Sequence, residues 1–232
     1  MANNLIRQNY LVRSYQDSDR ADIRDICVAT AWMGDPAPER IGDEWIWAEF
    51  WTRYYTDREP CHTWVVERAQ DSRIVGYITG TSDVRKVERF TPFLFPGILV
   101  RIIRKRLMRR PESRRQLLSM LGSMIRGELG LPRNIGRNFP GTFHFDLLPE
   151  IRKLGFGSLL FQSYLRRMEE LKLPGIHAQT MSLNNAAIRF FQKNGFRLSD
   201  SRTLRTFSHI DKQIIELQTW TKMLVDQPPL TP

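Results

Sequence analysis

Apolar positions along the chain follow two rhythms, one of period two and one near 3.6. Tyr10-Leu-Val-Arg-Ser-Tyr15 predicts a first strand, and Asp17-Ser-Asp19 then opens a helix through about Ala31 with Ile23, Ile26 and Cys27 facing inward. A second helix is expected near Asp43 to Tyr55. Its aromatics, Trp45, Trp47, Phe50, Trp51 and Tyr54, read as core, as the wall of a groove, or as a cage for a cation. Thr63–Glu67 and Arg73–Gly80 predict a hairpin across Asp71-Ser72. Farther on, Phe143-His-Phe-Asp-Leu147 alternates, turns at Pro149 and runs through Arg152-x-x-Gly155-x-Gly157 into a helix. Leu159, Leu160, Tyr164 and Met168 share one face of that helix; Arg166, Arg167, Glu169 and Glu170 share the other. Gly175–Met181 predicts a strand. Asn184 or Asn185 then caps a helix over 185–194, which Gly195 stops.

Residues 83–140, between the hairpin and the Phe143 strand, break this regular alternation. Pro96–Arg110 predicts a basic amphipathic helix with an apolar stripe of Leu99, Ile102, Ile103 and Leu107. Pro111 is expected to end it. Ser113 is expected to begin a second helix carrying Leu117, Leu118, Leu121, Met124, Ile125 and Leu129. Charge sharpens the contrast. The segment holds fourteen basic residues against four acidic ones, a surplus of ten, and the formal net charge of the whole 232-residue chain is also +10. The basicity therefore belongs to one element. Such helices suit a lid over a groove, an anionic membrane surface, RNA or an acidic protein, and a packed hairpin with a merely solvated basic face is the plain alternative.

Composition otherwise indicates a compact protein able to bury a core, built as one domain with an insertion. Cys27 and Cys61 form neither a ligand cluster nor a disulfide framework, and a reducing cytoplasm is the simplest expectation. No leader-like apolar run opens the sequence, and no stretch reaches membrane-spanning length. The four histidines are scattered, so neither a metal cluster nor Ser/His/Asp spacing is present, and no metal is expected. The Pro-rich end, residues 227–232, reads as a loose tail.

The chemistry concentrates in residues 143–160. A strand that ends in a glycine-bearing loop and feeds a helix N-terminus is built for phosphate, because backbone N–H groups can close on an anion where no Cβ intrudes. A Walker loop would need Gly-Lys-Ser/Thr, and a dinucleotide fingerprint would need a third glycine where Leu160 stands. The remaining pattern, Arg152-x-x-Gly155-x-Gly157 after a strand, closely resembles the pyrophosphate loop of the GNAT superfamily of N-acetyltransferases. A tight turn that binds nothing is the alternative for the hexapeptide alone. Asn184-x-x-Ala187-x-x-x-Phe191-x-x-x-Gly195-Phe196 resembles the family's second motif in register, strongly over 141–200 and weakly over 10–82. Phe191 stands where the family usually carries a tyrosine that protonates the leaving thiolate. The wording His144-Phe-Asp-Leu-Leu-Pro149, with Val75-Gly-Tyr-Ile-Thr-Gly-Thr-Ser-Asp83, also resembles the acetyltransferase-like domains related to O-GlcNAc-removing hydrolases.

The resemblance implies a mixed α/β fold with a mostly antiparallel central sheet: residues 1–82 and 141–226 form the two halves of the GNAT domain around the insertion 83–140. It implies acetyl-CoA as co-substrate, an amine acceptor and direct transfer in a ternary complex. Phe145, Leu147 and Leu148 would lend backbone to the pantetheine arm, and the loop Arg152, Lys153, Leu154, Gly155, Phe156, Gly157 and Ser158 would hold the pyrophosphate. Arg152 and Lys153 either add charge or point to solvent. Asn184 would contact the CoA arm or simply cap its helix; Ala187 and Phe191 complete the motif. From the residues themselves, His144 and Asp146 stand two apart on one strand face, with Phe143, Phe145 and Leu147 on the other. Asp146 is the preferred base or acceptor-orienting group and His144 the second, against a purely structural Asp–His pair. A CoA-binding module without catalysis, docking through its basic insertion, is the alternative reading, and a homodimer is compatible with either.

Overall fold

The computed structural model describes residues 7–36, 41–210 and 213–225. Seven strands form one sheet in the order β1-β2-β3-β4-β5-β7-β6. The first half runs β1 (Tyr10–Ser14), α1 (Arg20–Ala29), α2 (Glu44–Arg58), β2 (Trp64–Arg68) and β3 (Ile74–Thr81). Asp43 caps α2, its carboxylate accepting from the Ile46 N–H. Every residue of β3 is buried because helices cover both sheet faces. Ile23, Ile26 and Cys27 of α1 pack on one face against Val65, Ile74 and Tyr77, as the sequence pattern predicts.

The second half runs β4 (Gly141–Leu147), α7 (Phe156–Glu170), β5 (Gly175–Met181), α8 (Asn185–Lys193), β6 (Arg197–Thr203) and β7 (Glu216–Met223). The other sheet face buries Phe143, Phe156, Leu160, Phe161, Tyr164, Phe191, Phe196 and Trp220 in an aromatic-rich core. The Tyr164 ring occupies the space a Cβ at Gly80 would fill, 2.3 Å away. Its hydroxyl lies 3.1 Å from the Thr81 carbonyl and 3.0 Å from that of Thr142, which fixes α7 across β3 and β4. β4 pairs with β3 antiparallel from Thr142 to Leu147, but with β5 in parallel only at Gly141↔Ile176 and Thr142↔His177. Past Thr142 the two strands diverge and the sheet opens.

The segment between β3 and β4 is helical: α3 (Val84–Phe90), α4 (Phe95–Arg104), α5 (Pro111–Ile125) and α6 (Arg133–Asn138). It departs from the sequence pattern in three ways. First, α4 ends at Arg104 instead of reaching Arg110, because Arg106 adopts a left-handed conformation (φ 51°). Second, Pro111 does not stop a helix but starts one. It is the first residue of α5, where proline's fixed φ is an advantage and its missing N–H costs nothing. Third, the expected apolar stripes are not buried: α4 contains no buried residue, and Leu99 and Ile103 face solvent, although Leu107 is enclosed. In α5 the burial is inverted, with Ser113, Gln116 and Ser123 inside and Leu118, Leu121 and Ile125 outside.

Polar contacts account for the inward serines, though not for Gln116, whose buried amide has no partner among the described residues. The Arg101 guanidinium meets the Asp43 carboxylate at 3.1 Å, and Ser113 Oγ donates to the Gly42 carbonyl at 2.7 Å. Ser119 Oγ donates to the Thr206 carbonyl at 2.8 Å. Glu128 accepts from Ser123 Oγ at 2.7 Å, Arg126 Nε at 2.6 Å and both the backbone N–H and the guanidinium of Arg205 at 2.9 and 2.8 Å. Desolvation opposes its ionisation, yet the donors from Arg126, the Arg205 backbone and Ser123 prevail and hold the carboxyl down at about 2. The helices thus bridge the segment ahead of α2 and the loop between β6 and β7. The C-terminal tail expected at 227–232 lies outside the described residues.

Candidate active site

The site is built where β4 leaves β5. In the antiparallel ladder with β3, the Leu148 N–H donates to the Val75 carbonyl at 2.9 Å. Hydrogen-bonded pairs alternate, so Asp146, His144 and Thr142 also turn their backbones to β3, while Phe145 and Leu147 turn theirs to the opening. Leu148 is therefore already engaged through its N–H. Leu147 offers a carbonyl that accepts from Arg152 Nε at 2.9 Å.

Beyond β4 comes the phosphate-type loop. Ile151 and Arg152 N–H bond back to Leu148 and Pro149, and Ser158 and Leu159 N–H both bond to Gly155. Between them, the five N–H groups of Lys153, Leu154, Gly155, Phe156 and Gly157 have no acceptor among the described residues. Lys153 and Gly155 take left-handed φ values of 62° and 89°, which turns successive N–H groups toward one concavity at the start of α7. A lysine held at positive φ is strained, and strain of this kind gathers at ligand sites. A Cβ on Gly157 would meet only Leu147 and Phe145 side chains at 3.4 and 3.6 Å, ordinary contacts. The chain itself does not require glycine there.

Arg152 does not face the loop's concavity with its charge. Its guanidinium donates to the Leu147 and Gly34 carbonyls and lies 3.7 Å from Asp35. Arg7, which the sequence pattern does not single out, brings its guanidinium over the Phe156 ring at 5.7 Å and next to Gly155. It lies about 150 positions from the loop in sequence, so only the folded sheet brings the two together.

On the α1–α2 side of β4, His144 and Asp146 share a face as the alternation predicts, with Phe143 and Phe145 in or against the core opposite. Their nitrogen–oxygen distance is 3.6 Å, too long for a direct hydrogen bond. Tyr77 connects them. Its hydroxyl donates to Asp146 Oδ2 at 2.8 Å and lies 3.2 Å from His144 Nδ1, so an Nδ1–H donating to the phenol completes a relay from His144 through Tyr77 to Asp146. Burial, then the nearby Asp146 charge, pushes the phenol's ionisation well up, so it stays a neutral donor. The Trp51 indole stacks on the His144 ring at 5.4 Å with an interplanar angle of 20°. Tyr77 and Trp51 are the partners that sequence reading missed as chemistry: both look like core residues until β3 and α2 are set beside β4. Cys27 lies beneath them, buried, its thiol pushed up by desolvation.

Asn184 caps α8, its Oδ1 accepting from the Ala187 N–H at 3.1 Å, and its Nδ2 is unengaged among the described residues. Phe191 is enclosed by Phe143, Phe196 and Trp220, next to the residue at which β4 parts from β5. Its ring is 3 % exposed and brings no polar atom to the opening. Among the described residues no group of three or more His, Cys, Asp or Glu side chains is placed to hold a metal ion. No helix among them is long and apolar enough to cross a membrane.

No curated protein sequence matches the chain. Among solved structures, SsHAT is similar over 94% of this chain and 100% of its own, with 22% identity and a TM-score of 0.70. YncA, a putative acetyltransferase from Salmonella typhimurium solved with acetyl-CoA, aligns over 94% of this chain and 96% of its own at 13% identity and a TM-score of 0.55. A polyamine N-acetyltransferase from Drosophila melanogaster aligns over 93% and 100% at 16% identity and a TM-score of 0.53. Residues 133–196 match the acetyltransferase (GNAT) family. They hold β4, the phosphate-type loop, α7, β5 and α8. Residues 133–196 thus match the GNAT acetyltransferase family, and the chain that carries them has the GNAT fold.

Proposed function

We propose that this protein transfers acetyl from acetyl-CoA to a primary amine by direct attack within a ternary complex. The observation that carries the reading is the run of five unpartnered N–H groups from Lys153 to Gly157 at the mouth of α7. It offers a dianionic pyrophosphate several hydrogen bonds and the positive end of a helix dipole. Arg7 adds a charge at its edge. Phe145 and Leu147 present backbone groups to the opening between β4 and β5, where a pantetheine arm would lie as a substitute strand. The Phe145 N–H is the donor for the thioester oxygen as negative charge develops on it. Asn184 Nδ2 is available to the same arm.

On the acceptor side, Asp146 takes the proton from the incoming ammonium, directly or through one water, and the neutral amine then attacks the carbonyl carbon. His144 and Tyr77 orient that carboxylate, and Trp51 holds the imidazole in place. The α4–α5 helices and the β6–β7 loop stand as the wall and lid that select the acceptor. Phe191 supplies no proton to the departing thiolate. A CoA thiol of ordinary acidity, with a pKa near about 8.5, leaves as the thiolate, and the second proton of the attacking amine passes to it through water as the amide forms.

Calorimetry of acetyl-CoA binding tests the donor half. Gly157 is the second residue of α7, so Gly157→Glu keeps a helix-compatible backbone and suits the helix dipole, but it places bulk and negative charge against the pyrophosphate. Micromolar binding by the wild type and none by the variant, with an unchanged melting temperature, supports the site. No binding by the wild type removes the transferase reading.

A further inference from the structure

The α4–α5 region carries its polar side inward and its apolar side outward. On α4, Gly97 approaches Trp45 and Arg101 pairs with Asp43, so this face rests on α2. The opposite face is a row of Phe95, Leu99 and Ile103 at helical spacing, 45%, 57% and 65% exposed, preceded by Phe93 at 75%. On α5, Ser113, Gln116 and Ser123 face inward, and Leu118, Leu121 and Ile125 form a second outward row, with Ile125 at 77%. Ordinary surface helices are arranged the other way round.

Around and between these rows stand Arg104, Lys105, Arg106, Arg109, Arg110, Arg114 and Arg115. All are exposed, and none makes an ion pair among the described residues. Glu112 is the one carboxylate of that stretch. Elsewhere on the chain several arginines are matched, as Arg13 is with Asp19 and Glu67 or Arg68 with Asp71 and Glu150, and those without an ion pair among the described residues, such as Arg73, Arg166 and Arg197, are scattered instead of clustered.

We propose that α4, the Arg104–Arg110 turn and the outward row of α5 form a docking surface for an anionic lipid bilayer. Bulky apolar side chains on convex ridges, flanked by unpaired cations, are what a helix needs to lie in the headgroup layer, with Phe, Leu and Ile in the acyl boundary and guanidinium groups at the phosphates. RNA would leave the apolar rows in water. A second copy docked through the same patch would bring seven unpaired cations against seven. An acidic protein would satisfy the charge, but convex rows offer it no groove in which to seat an anchor.

Vesicle co-sedimentation of the full chain tests this. The lipids are neutral phosphatidylcholine, alone or with roughly 30% phosphatidylserine, at low and high salt. Two variants keep the fold because every changed side chain is exposed: Leu99→Ser/Ile103→Ser at constant charge and Arg109→Gln/Arg110→Gln at constant apolar area. Strong partitioning to anionic vesicles alone is expected, weakened about 10-fold or more by the serine pair and roughly 30-fold by the glutamine pair, at about 1 kcal/mol per lost cation. Circular dichroism checks that both variants stay folded. Failure to bind anionic vesicles at low salt overturns the proposal. So does wild-type-like vesicle binding by the serine pair, which would mark a general polyanion site for RNA or an acidic protein. A dimer abolished by the serine pair, without vesicle binding, would reassign the rows to self-association.

Discussion

At the scale of single residues, the centre of interest is the relay His144–Tyr77–Asp146. The base proposed for the incoming ammonium needs a fixed direction, and the 2.8 Å bond from Tyr77 gives the Asp146 carboxylate one. Asp146→Asn is expected to lower kcat by about 10²–10⁴ while acetyl-CoA affinity stays within twofold. Tyr77→Phe is expected to cost about tenfold in kcat with acetyl-CoA affinity unchanged, since the carboxylate loses the donor that aims it. A purely structural tyrosine would lower the melting temperature and leave kcat in place. His177 is a different kind of residue. Buried, with its Nδ1–H directed to the Phe139 carbonyl at 2.6 Å, it titrates at about 4, chiefly because of desolvation. Its pKa is depressed on folding, so the unfolded chain binds a proton first as pH falls. The stability it confers is whole above about 6.5 and is lost on the way down to about 4. Urea midpoints should fall across that window, and His177→Gln, which keeps a donor for Phe139, should flatten the fall.

At the scale of elements, the glycine loop at 152–158 and α8 were legible in the sequence because their signals are local. Two glycines after a strand, an asparagine cap and a glycine stop act within a few residues, and local rules survive folding. His144 and Asp146 were legible as a pair through strand period alone. Tyr77 and Trp51 were not, because contact across 67 residues or between separate elements leaves no mark in a linear pattern. The α4–α5 helices mislead for the opposite reason. Their apolar periodicity is real, but the usual inference from periodicity to burial failed. Ser113, Ser119 and Ser123 reach backbone carbonyls and a carboxylate that the sequence could not display. β6 escaped notice because an edge strand of mostly exposed polar residues, Arg197-Leu-Ser-Asp-Ser-Arg-Thr203, carries no buried alternation.

At the scale of the molecule, the helices between β3 and β4 behave as a strap, fastened ahead of α2 by Arg101 and Ser113 and at the β6–β7 loop by Ser119 and Glu128. Glu128 is the tighter fastening, with donors from three residues on a carboxylate that is 6 % exposed. Glu128→Gln should cost about 1–3 kcal/mol, seen as a lower thermal midpoint. Because the folded carboxyl sits at about 2, the wild type should forfeit this contribution only as pH falls from about 4.5 toward 2, below the histidine window.

Arg152 joins two ends of the candidate active site. Its guanidinium holds the Leu147 carbonyl and the Gly34 carbonyl, so the segment after α1 is tied to the end of β4 and the Lys153–Gly157 loop. Trp32, two residues before Gly34, packs edge-on against Phe207 in the β6–β7 loop. Under the proposed function, a pyrophosphate seated on that loop would bear on the same two ties, and ordered binding, nucleotide first and amine second, is the kinetic pattern expected.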